Sequence, residues 1–423
     1  MSQLKLSTLR RYLIEQDLMF LAGQPAVYHC HHFNLFLDQT IDDGLGFEVS
    51  SDLRMRAARE FAYRLILNVC DRVNAETPPE RLQVALELFR CMGHGRLDLD
   101  AGLLGGTGHG SHLHYGHAWF EKYGQKVRRK QPADAFAAGF ACAALEVAFN
   151  LQPGSIAARE TSCVALRAPS CEIQLTPAPE REFSSVSVGE TESLRVVGAP
   201  EDGLFEDVIQ PIASGLKEFT AGVQGDERGL VQAFGVFVTL HLAGYYNRIS
   251  FDAVDHVQQR APQSVGVLED LLRESGHVCV FNTFGGILLS PEWEALVGAP
   301  PDDPAQIVAF CMGIGRALGF GRWTVAEFEP ERRFVLRTPS SYESTYYRTR
   351  KGIATRPVEY FLQGAALATA QLAHRVHWSK RPQLTPEYYQ QLFKGGVPWK
   401  AEQTHAIVCG QPVSEVVVTR VNP

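Results

Sequence analysis

Two kinds of hydrophobic pattern alternate along the chain, and they recur in the same order in its second half. Apolar residues at helical spacing occupy residues 82–93 (LQVALELFRCMG) and 305–313 (AQIVAFCMG). Apolar residues at positions i, i+3 and i+4 predict a helix with one buried face. The segments 158–175 (ARETSCVALRAPSCEIQL) and 405–420 (HAIVCGQPVSEVVVTR) are rich in β-forming residues interrupted by turn residues. They predict pairs of antiparallel strands joined by short turns.

Four pairs of matching segments, in the same order, indicate that the chain is an internal duplication. They pair HCHHFN with HVCVFN, RCMGHGRL with FCMGIGRAL, WFEKYGQK with YRTRKGIA, and DAFAAGFACAALEVA with EYFLQGAALATAQLA. We expect the first pair, residues 29–34 and 277–282, to lie on corresponding strands. The first half keeps the histidines that the second half has lost, so we expect the second half to be structural.

The predicted fold class is α+β, with two duplicated mixed α/β domains that contain antiparallel sheets and are related by a pseudo-two-fold repeat. A chain of 423 residues is long enough for two domains with a core each. We expect the first domain at residues 1–181, a polar linker rich in serine and glycine at 182–204, and the second domain at 205–423.

Composition indicates a globular protein. Hydrophobic residues make up 45% and charged residues 21% of the chain, and no apolar run is long enough to cross a membrane. The net charge of −7, without an extended basic surface, argues against a nucleic-acid partner. Nine cysteines and no export signal at the start of the chain indicate a reducing compartment, so we expect a cytoplasmic protein.

An acid-and-thiol motif lies in the first pair of predicted strands. Glu160 and Cys163 come before a turn, and Cys171 follows it. A hairpin can bring these three side chains to one cation, and zinc accepts both thiolate and carboxylate ligands in a closed tetrahedral site. Cys142 on the preceding helix is the natural fourth ligand, with His94 as a weaker alternative.

The span from about Cys91 to Cys171 resembles the 4-vinyl reductase domain family, which includes ligand-sensing domains of aromatic-responsive transcription regulators. The resemblance rests on AFAAGFACAALE and on the E-x2-C-x7-C segment that follows it. It implies an α/β unit with an antiparallel sheet, and a zinc ion that braces a ligand pocket through the Glu, the two Cys and an upstream Cys. It also implies that a His and a Trp contact an aromatic ligand, for which His117 and Trp119 are the nearest matches.

The sequence departs from the family pattern between the two cysteines and in the second half. The family's Gly-His is replaced by Arg167-Ala168-Pro169. In the second half, Glu402 and His405 stand where Glu and Cys are expected, and Val413 stands at the last Cys position. We therefore expect zinc in the first half alone.

Seven of the fourteen histidines fall in two short stretches, YHCHHFN and TGHGSHLHYGH. Residues two apart on a strand point to the same face, so His29 and His31 would project together, as would His112 and His114. Neutral imidazoles that converge favour a borderline divalent cation such as iron or copper. The predicted ligands of this second site are His29, His31, His32, His112, His114 and His117, whereas His109 is expected to be an ordinary surface residue. Tyr115 and Glu121 lie close enough in sequence to donate or accept a proton.

Three functions remain open on these observations. The density of histidine slightly favours a non-haem iron or copper oxidoreductase that acts on a small organic substrate. The alternative is a zinc-braced binding or sensor protein for a small hydrophobic ligand or a tetrapyrrole such as haem. A structural or assembly factor is the third. In each of the first two cases the expected partner is a small molecule, and a homodimer is left open.

Overall fold

The structure is a computed structural model that describes residues 4–127, 129–178 and 188–421. Its helices are α1 (Leu6–Leu9), α2 (His31–Leu45), α3 (Phe47–Val73), α4 (Pro78–Cys91), α5 (His114–Tyr123), α6 (Ala135–Ala148), α7 (Glu190–Leu194), α8 (Glu206–Ala221), α9 (Ala243–Arg260), α10 (Val265–Cys279), α11 (Gly285–Leu288), α12 (Pro291–Leu296), α13 (Pro304–Ala317), α14 (Tyr342–Arg350), α15 (Tyr360–Arg375) and α16 (Pro386–Lys394). Its strands are β1 (Arg10–Leu13), β2 (Leu18–Leu21), β3 (Gln24–Cys30), β4 (Asp98–Gly102), β5 (Gly105–Gly110), β6 (Ile156–Ser162), β7 (Cys171–Pro177), β8 (Val231–Ala233), β9 (Val236–Leu242), β10 (Thr324–Glu329), β11 (Arg333–Thr338), β12 (Trp399–His405) and β13 (Ser414–Arg420).

The halves share a central antiparallel sheet. Its strand order is β1-β2-β3-β9-β8, so the first half contributes three strands and the second half contributes two. The join is the pairing of β3 with β9, in which Ala26 is opposite Leu242 and Cys30 is opposite Val238. Every residue of β3 is buried, because helices cover it and β9 completes its hydrogen bonds. The two halves are therefore held together by main-chain pairing as well as by side-chain packing.

Each half also has its own four-stranded antiparallel sheet. The order is β4-β5-β7-β6 in the first half and β10-β11-β13-β12 in the second. Both sheets have an irregularity near the end of the strand before the last turn, between Glu160 and Ser162 and between Gln403 and His405. In both, a short 3-10 turn follows, at Val164–Leu166 and at Ile407–Cys409. The predicted α+β class with repeated sheet-containing units is confirmed.

A close helix crossing is also repeated in the two halves. α6 packs on α3, and α15 packs on α10. At the crossings lie Gly139 and Gly364, where an added Cβ would overlap the main-chain oxygen of Met55 and of Arg273 respectively. The two helix pairs can therefore approach this closely only because both positions lack a side chain.

The expected correspondence of residues 29–34 with 277–282 is wrong. Only His29 and Cys30 lie on a strand, since α2 begins at His31. Residues 277–279 end α10, and residues 280–284 form a π-helical turn, because apolar residues in this region recur at helical spacing. The counterpart of His29 is His241, since each lies one residue before the end of its central strand and a helix follows directly.

The expected boundary between residues 181 and 182, and the beginning of the linker at 182–204, lie outside the described residues. The described part of that linker includes α7, and its Gly198 main chain donates a hydrogen bond to Pro339 of the second half. Over the described ranges, the helices lack the combination of length and apolar character that a membrane crossing needs.

Candidate functional site

Four potential metal ligands meet in the first half. They are Asp134 at the N-cap position of α6, Glu160 on β6, Cys163 just before the 3-10 turn, and Cys171 at the start of β7. One ligand atom from each lies within 4.8 Å of the other three. Three or more His, Cys, Asp or Glu side chains that come close enough together could hold one ion. Among the described residues, this cluster is the group that meets that condition.

The distances in this cluster are those of a compact metal site. The sulfur atoms of Cys163 and Cys171 are 3.7 Å apart, and Cys171 Sγ is 3.2 Å from Asp134 Oδ2. Two thiolates bound to one zinc at about 2.3 Å each, at the tetrahedral angle, are about 3.7 Å apart. Two sulfurs and two carboxylates are also a donor set that zinc accepts.

Main-chain hydrogen bonds orient the cluster. The N–H groups of Tyr115 and Gly116 donate to the two oxygens of Asp134, at 3.1 and 3.0 Å. The N–H of Asp134 donates to Glu160 Oε2 at 2.8 Å. A Cβ added to Gly116 would lie 2.5 Å from Asp134 Oδ2 and 3.1 Å from Cys171 Sγ. A glycine is therefore required next to these ligand atoms.

Burial makes it unfavourable for the carboxyl groups of the cluster to ionise. Burial raises the pKa of the Asp134 carboxyl group. The pKa of Glu160 is raised well above its ordinary value, first by burial and then by the neighbouring Asp134 and Cys163. The hydrogen bond from Cys171 lowers the pKa of Cys163, whereas the pKa of Cys171 is raised by the same pairing. Four acidic groups packed this closely cannot all ionise unless they share a cation.

The equivalent place in the second half is a hydrogen-bonded network of different chemistry. Glu359 occupies the N-cap position of α15 as Asp134 does that of α6. Gln403, Ala406 and Ser414 take the positions of Glu160, Cys163 and Cys171. Donors surround the carboxylate of Glu359: Ser341 and Gln403 at 2.7 Å each, and Ser414 at 2.5 Å.

The expected counterparts Glu402, His405 and Val413 are therefore each one residue out of register. The two strands carry the same irregularity and the three positions have the same spacing in both halves, so the offset arose from matching residue types, Glu402 to Glu and His405 to Cys. The second half lacks both thiols at the corrected positions, so its buried carboxylate is held by hydrogen-bond donors instead.

Neither residue that we considered for the fourth ligand lies in the cluster. Cys142 lies two turns further along α6 than Asp134 and lines a separate cavity. His94 is packed among aromatic rings. Asp134 takes the fourth position, and its match with Glu359 in the repeat was the signal in the sequence that could have identified it.

The predicted histidine ligands are spread over several environments. His29 points into the core of the second half, where its Nδ1 is 3.2 Å from Cys279 Sγ. His31 Nδ1 accepts a hydrogen bond from the main chain of Phe237 at 3.2 Å. His32 Nδ1 accepts one from Lys122 at 2.6 Å. His29 and His31 do not share a strand face, because the chain becomes helical at His31.

The remaining predicted ligands form other contacts. His112 and His117 have ring centroids 5.1 Å apart, and Ser111 contacts His112 Nδ1 at 2.8 Å. His114 Nε2 accepts a hydrogen bond from Asn34 at 2.9 Å. Within the described residues, no three histidines come close enough to share one ion. The expected common histidine site is not formed in this structure.

A buried aromatic centre lies beside the cluster, in the core of the first half. Its central residue is His94, whose ring lies 4.4 Å from that of Phe136 and 4.7 Å from that of His241. The hydroxyl of Tyr115 is 3.2 Å from His241 Nε2. The centre is completed by His114, Phe89, Phe140 and Tyr245.

Neither ring nitrogen of His94 has a hydrogen-bond partner among the described residues, although the ring is only 1% exposed. The main chain of Leu240 lies near the ring but outside hydrogen-bonding geometry. Burial lowers the pKa of His94 well below its ordinary value, so the imidazole is neutral. Buried polar groups are nearly always paired, and each exception requires an explanation.

The histidine near the end of each central strand packs in the core of the other half. His241 belongs to β9 of the second half but packs on Phe136 of the first, at 4.3 Å between ring centroids. His29 belongs to β3 of the first half but packs on Phe320 and Phe361 of the second, at 4.9 and 5.1 Å. His241 was not among the predicted site residues, because one histidine in an apolar strand carries no distinguishing signal.

The other predicted site residues have different surroundings. Tyr115 lies in the aromatic centre, but Glu121 is exposed on α5. Trp119 packs against Tyr123 and under the guanidinium of Arg129. His117 instead faces Phe237, so His117 and Trp119 do not line one pocket.

Comparisons with known proteins give little that bears on function. No family model matches the chain, and no curated protein matches it, so the resemblance to the 4-vinyl reductase domain family has no support from them. Among solved structures, the phenol-responsive sensory domain of the transcription activator PoxR, determined with phenol, is 20% identical. The match covers 41% of this chain and 86% of that domain, with a TM-score of 0.33. That score is too low to show a shared fold.

Proposed function

We propose that the protein binds a small aromatic molecule that carries a polar group, and that a zinc ion braces the half in which it binds. The observation that supports the proposal is His94, a fully buried imidazole without a hydrogen-bond partner inside an aromatic centre. An unpaired buried polar group of this kind costs about 1–3 kcal/mol, which a ligand with a hydroxyl group would offset.

The surrounding side chains fit such a ligand. Phe89, Phe136 and Phe140 provide ring faces and edges, which favour an aromatic partner in stacked or edge-to-face geometry. Tyr115 and His241 add a hydrogen-bonding pair at the same place. Apolar walls with a few convergent polar groups are typical of small-molecule sites.

Zinc would be held by Asp134, Glu160, Cys163 and Cys171. Four protein ligands close the coordination sphere, and zinc sites of this type are structural. The zinc site would be connected to the aromatic centre through Asp134. The main-chain N–H of Tyr115 donates to Asp134, and Phe136 lies two residues after Asp134. The ion would thus fix the separation of α5 and α6, and with it the positions of two side chains of the centre.

We do not retain the oxidoreductase hypothesis. It depended on several histidines bound to one iron or copper ion, and the histidines occupy separate environments instead. Haem as the ligand is not retained either, because a porphyrin is several times larger than one aromatic ring and the side chains of the aromatic centre are buried and closely packed.

The test is calorimetric titration with phenol, the simplest ring with a hydroxyl group, and with toluene, which has the same ring shape without it. We expect phenol to bind more tightly than toluene. His94→Phe keeps the ring and removes the nitrogens, so it should weaken phenol binding about tenfold while toluene binding changes little, which corresponds to one lost hydrogen bond of about 1.4 kcal/mol.

His109→Phe, at an exposed position on β5, is the matched control and should behave as the unmodified protein. If phenol and toluene bind equally, or if neither binds, the proposed function is wrong. If phenol binds and His94→Phe leaves its affinity unchanged, the ligand occupies another site and the assignment to His94 is wrong.

A further inference from the structure

A small cavity lies beside α6 and is lined by residues outside the aromatic centre. Its volume is about 70 Å³, and it opens between α3, α6 and the start of β6. The walls are mostly apolar, with Met55 from α3, Gly139 from α6 and Ile156 from β6. Cys142, the residue first considered for the zinc site, also lines this cavity. The charged residues on its wall are Arg56, Arg59 and Asp52, and Asp52 is paired with Arg56.

Arg59 is a buried cation that forms no ion pair among the described residues. Its side chain is only 6% exposed, and NH1 donates to the main-chain oxygen of Ile156 at 3.2 Å. Its Nε is buried and has no hydrogen-bond partner among the described residues. A buried guanidinium group with one neutral partner is costly, because desolvation is not repaid by an ion pair.

Among the described residues, the two acidic side chains near this cavity, Asp52 and Glu146, form no ion pair with Arg59. Glu146 is close enough for its pKa to be affected by Arg59, yet it forms no ion pair with it among the described residues. Its Oε1 instead accepts hydrogen bonds from the main chain of Gly154 and Ile156, at 2.9 and 3.1 Å. Arg59 therefore lines the cavity, and its Nε donor is not used by a carboxylate among the described residues.

The second arginine lies at the rim. Arg56 pairs with Asp52 at 2.9 Å, with 43% of its side chain exposed. An anion that enters the cavity would meet Arg56 first and Arg59 at the inner end. The arginines flank apolar surface from Met55 and Ile156, which would be poorly matched to a strongly hydrated dianion.

We propose that this cavity binds a small monocarboxylate, whose carboxylate group pairs with Arg59 and whose short apolar end contacts Met55 and Ile156. Guanidinium groups bind carboxylates through two parallel hydrogen bonds, and such charge-assisted bonds are the stronger kind. The volume admits an anion of only a few heavy atoms, so acetate is a suitable probe. The site is independent of zinc and of the aromatic centre.

The experiment is calorimetric titration of the full chain with sodium acetate, with sodium chloride at equal ionic strength as the reference. We expect saturable binding of acetate in the millimolar range. Arg59→Gln removes the positive charge and leaves a shorter polar side chain, and should weaken acetate binding at least about tenfold, the loss of one charge-assisted hydrogen bond. Saturation-transfer NMR with labelled acetate checks the same equilibrium.

Two further variants keep the test decisive. Ala158→Leu fills the cavity without altering a charge and should also abolish binding, which covers the case in which Arg59→Gln does not fold. Arg72→Gln, an exposed arginine on the same helix, should bind acetate as the unmodified protein does. No saturable binding, equal binding of chloride, or full acetate affinity in both Arg59→Gln and Ala158→Leu would each overturn the proposal.

Discussion

Tyr246 of the second half donates a hydrogen bond of 2.6 Å to Asn34 Oδ1 of the first half. The amide nitrogen of Asn34 in turn donates to His114 Nε2 at 2.9 Å and to Thr239 Oγ1 at 3.1 Å. All four side chains are buried, and this network connects the two halves through direct hydrogen bonds. Its interactions are strengthened by burial, and the loss of one partner leaves the others unsatisfied.

We expect Tyr246→Phe to lower the free energy of unfolding by about 1–3 kcal/mol, because it leaves Asn34 Oδ1 buried without a donor. Urea denaturation followed by fluorescence measures the change. Tyr388→Phe removes a hydroxyl group from a partly exposed residue and should change the free energy by less than about 0.5 kcal/mol. Equal stability of the two variants would show that the network contributes nothing.

The proposed zinc site makes different predictions for two variants. Asp134→Asn should lower zinc affinity by at least about tenfold, because an amide is a poorer ligand than a carboxylate in this set. Cys142→Ala should bind zinc with unchanged affinity, since Cys142 lies outside the cluster. Elemental analysis and competition with a chelator give both values. Loss of zinc from Cys142→Ala alone would restore the prediction made from the sequence.

Gly116 gives a steric test of the same cluster. Gly116→Ala places a methyl group 2.5 Å from Asp134 Oδ2, so the carboxylate and the helix N-terminus have to move. We expect the variant to lose bound zinc and to unfold at a lower temperature, measured by elemental analysis and calorimetry. Gly102→Ala, at a position where an added Cβ meets no atom within 4 Å, is the control and should retain zinc. Full zinc occupancy in Gly116→Ala would contradict the geometry of the site.

The repeat predicts that a second zinc site can be built. Glu359 already occupies the position of Asp134, and the changes Gln403→Glu, Ala406→Cys and Ser414→Cys would supply the other ligands. Ser344→Gly is also needed, because this residue stands where Gly116 makes room in the first half. We expect the zinc content to rise from one to two ions per chain. A folded variant that still binds one ion would show that the two places are not equivalent.

Glu343 predicts how stability depends on pH. Burial, and then the neighbouring Glu359, raises the pKa of Glu343 to about 8. A carboxyl group with a raised pKa holds its proton in the folded state and loses it in the unfolded state, so stability falls as the pH rises toward 8. Between pH 6.5 and 8 the contribution reaches up to about 1.4 kcal/mol per pH unit.

We expect Glu343→Gln to flatten this slope, as measured by urea denaturation at pH 6.5 and pH 8. Part of the slope remains, because burial also raises the pKa of Glu146 to about 7. The exposed Glu48→Gln should leave the slope as it is. The same slope in all three proteins would mean that Glu343 is not the group responsible.

The sequence predicts members of the cluster where potential ligands lie close together in the chain. The E-x2-C-x7-C motif identified three members of the cluster, since neighbouring strands joined by a short turn bring such residues together whatever the rest of the fold does. Asp134 was missed because a carboxylate that precedes a helix is usually an ordinary cap. Only its match to another buried carboxylate in the repeat, Glu359, separates it from many similar residues.

The position of the histidines was not predictable in the same way. Their number suggested convergence, yet His29 and His241 are each directed into the opposite half by the pairing of β3 with β9. That pairing joins residues far apart in the chain, and no local pattern encodes it. The apolar run at residues 277–282 also fits strand and helix equally well over so short a length.

The pairing of β3 with β9 cannot form until both strands have been synthesised. His29 and its partner Thr239 are 210 residues apart in sequence, so β3 leaves the ribosome long before the strand that covers its edge. At about 5–20 residues per second, that edge waits roughly 10–40 s for its partner. During this interval the nascent chain exposes an apolar strand with unpaired main-chain groups, the kind of surface to which chaperones bind and from which aggregation starts.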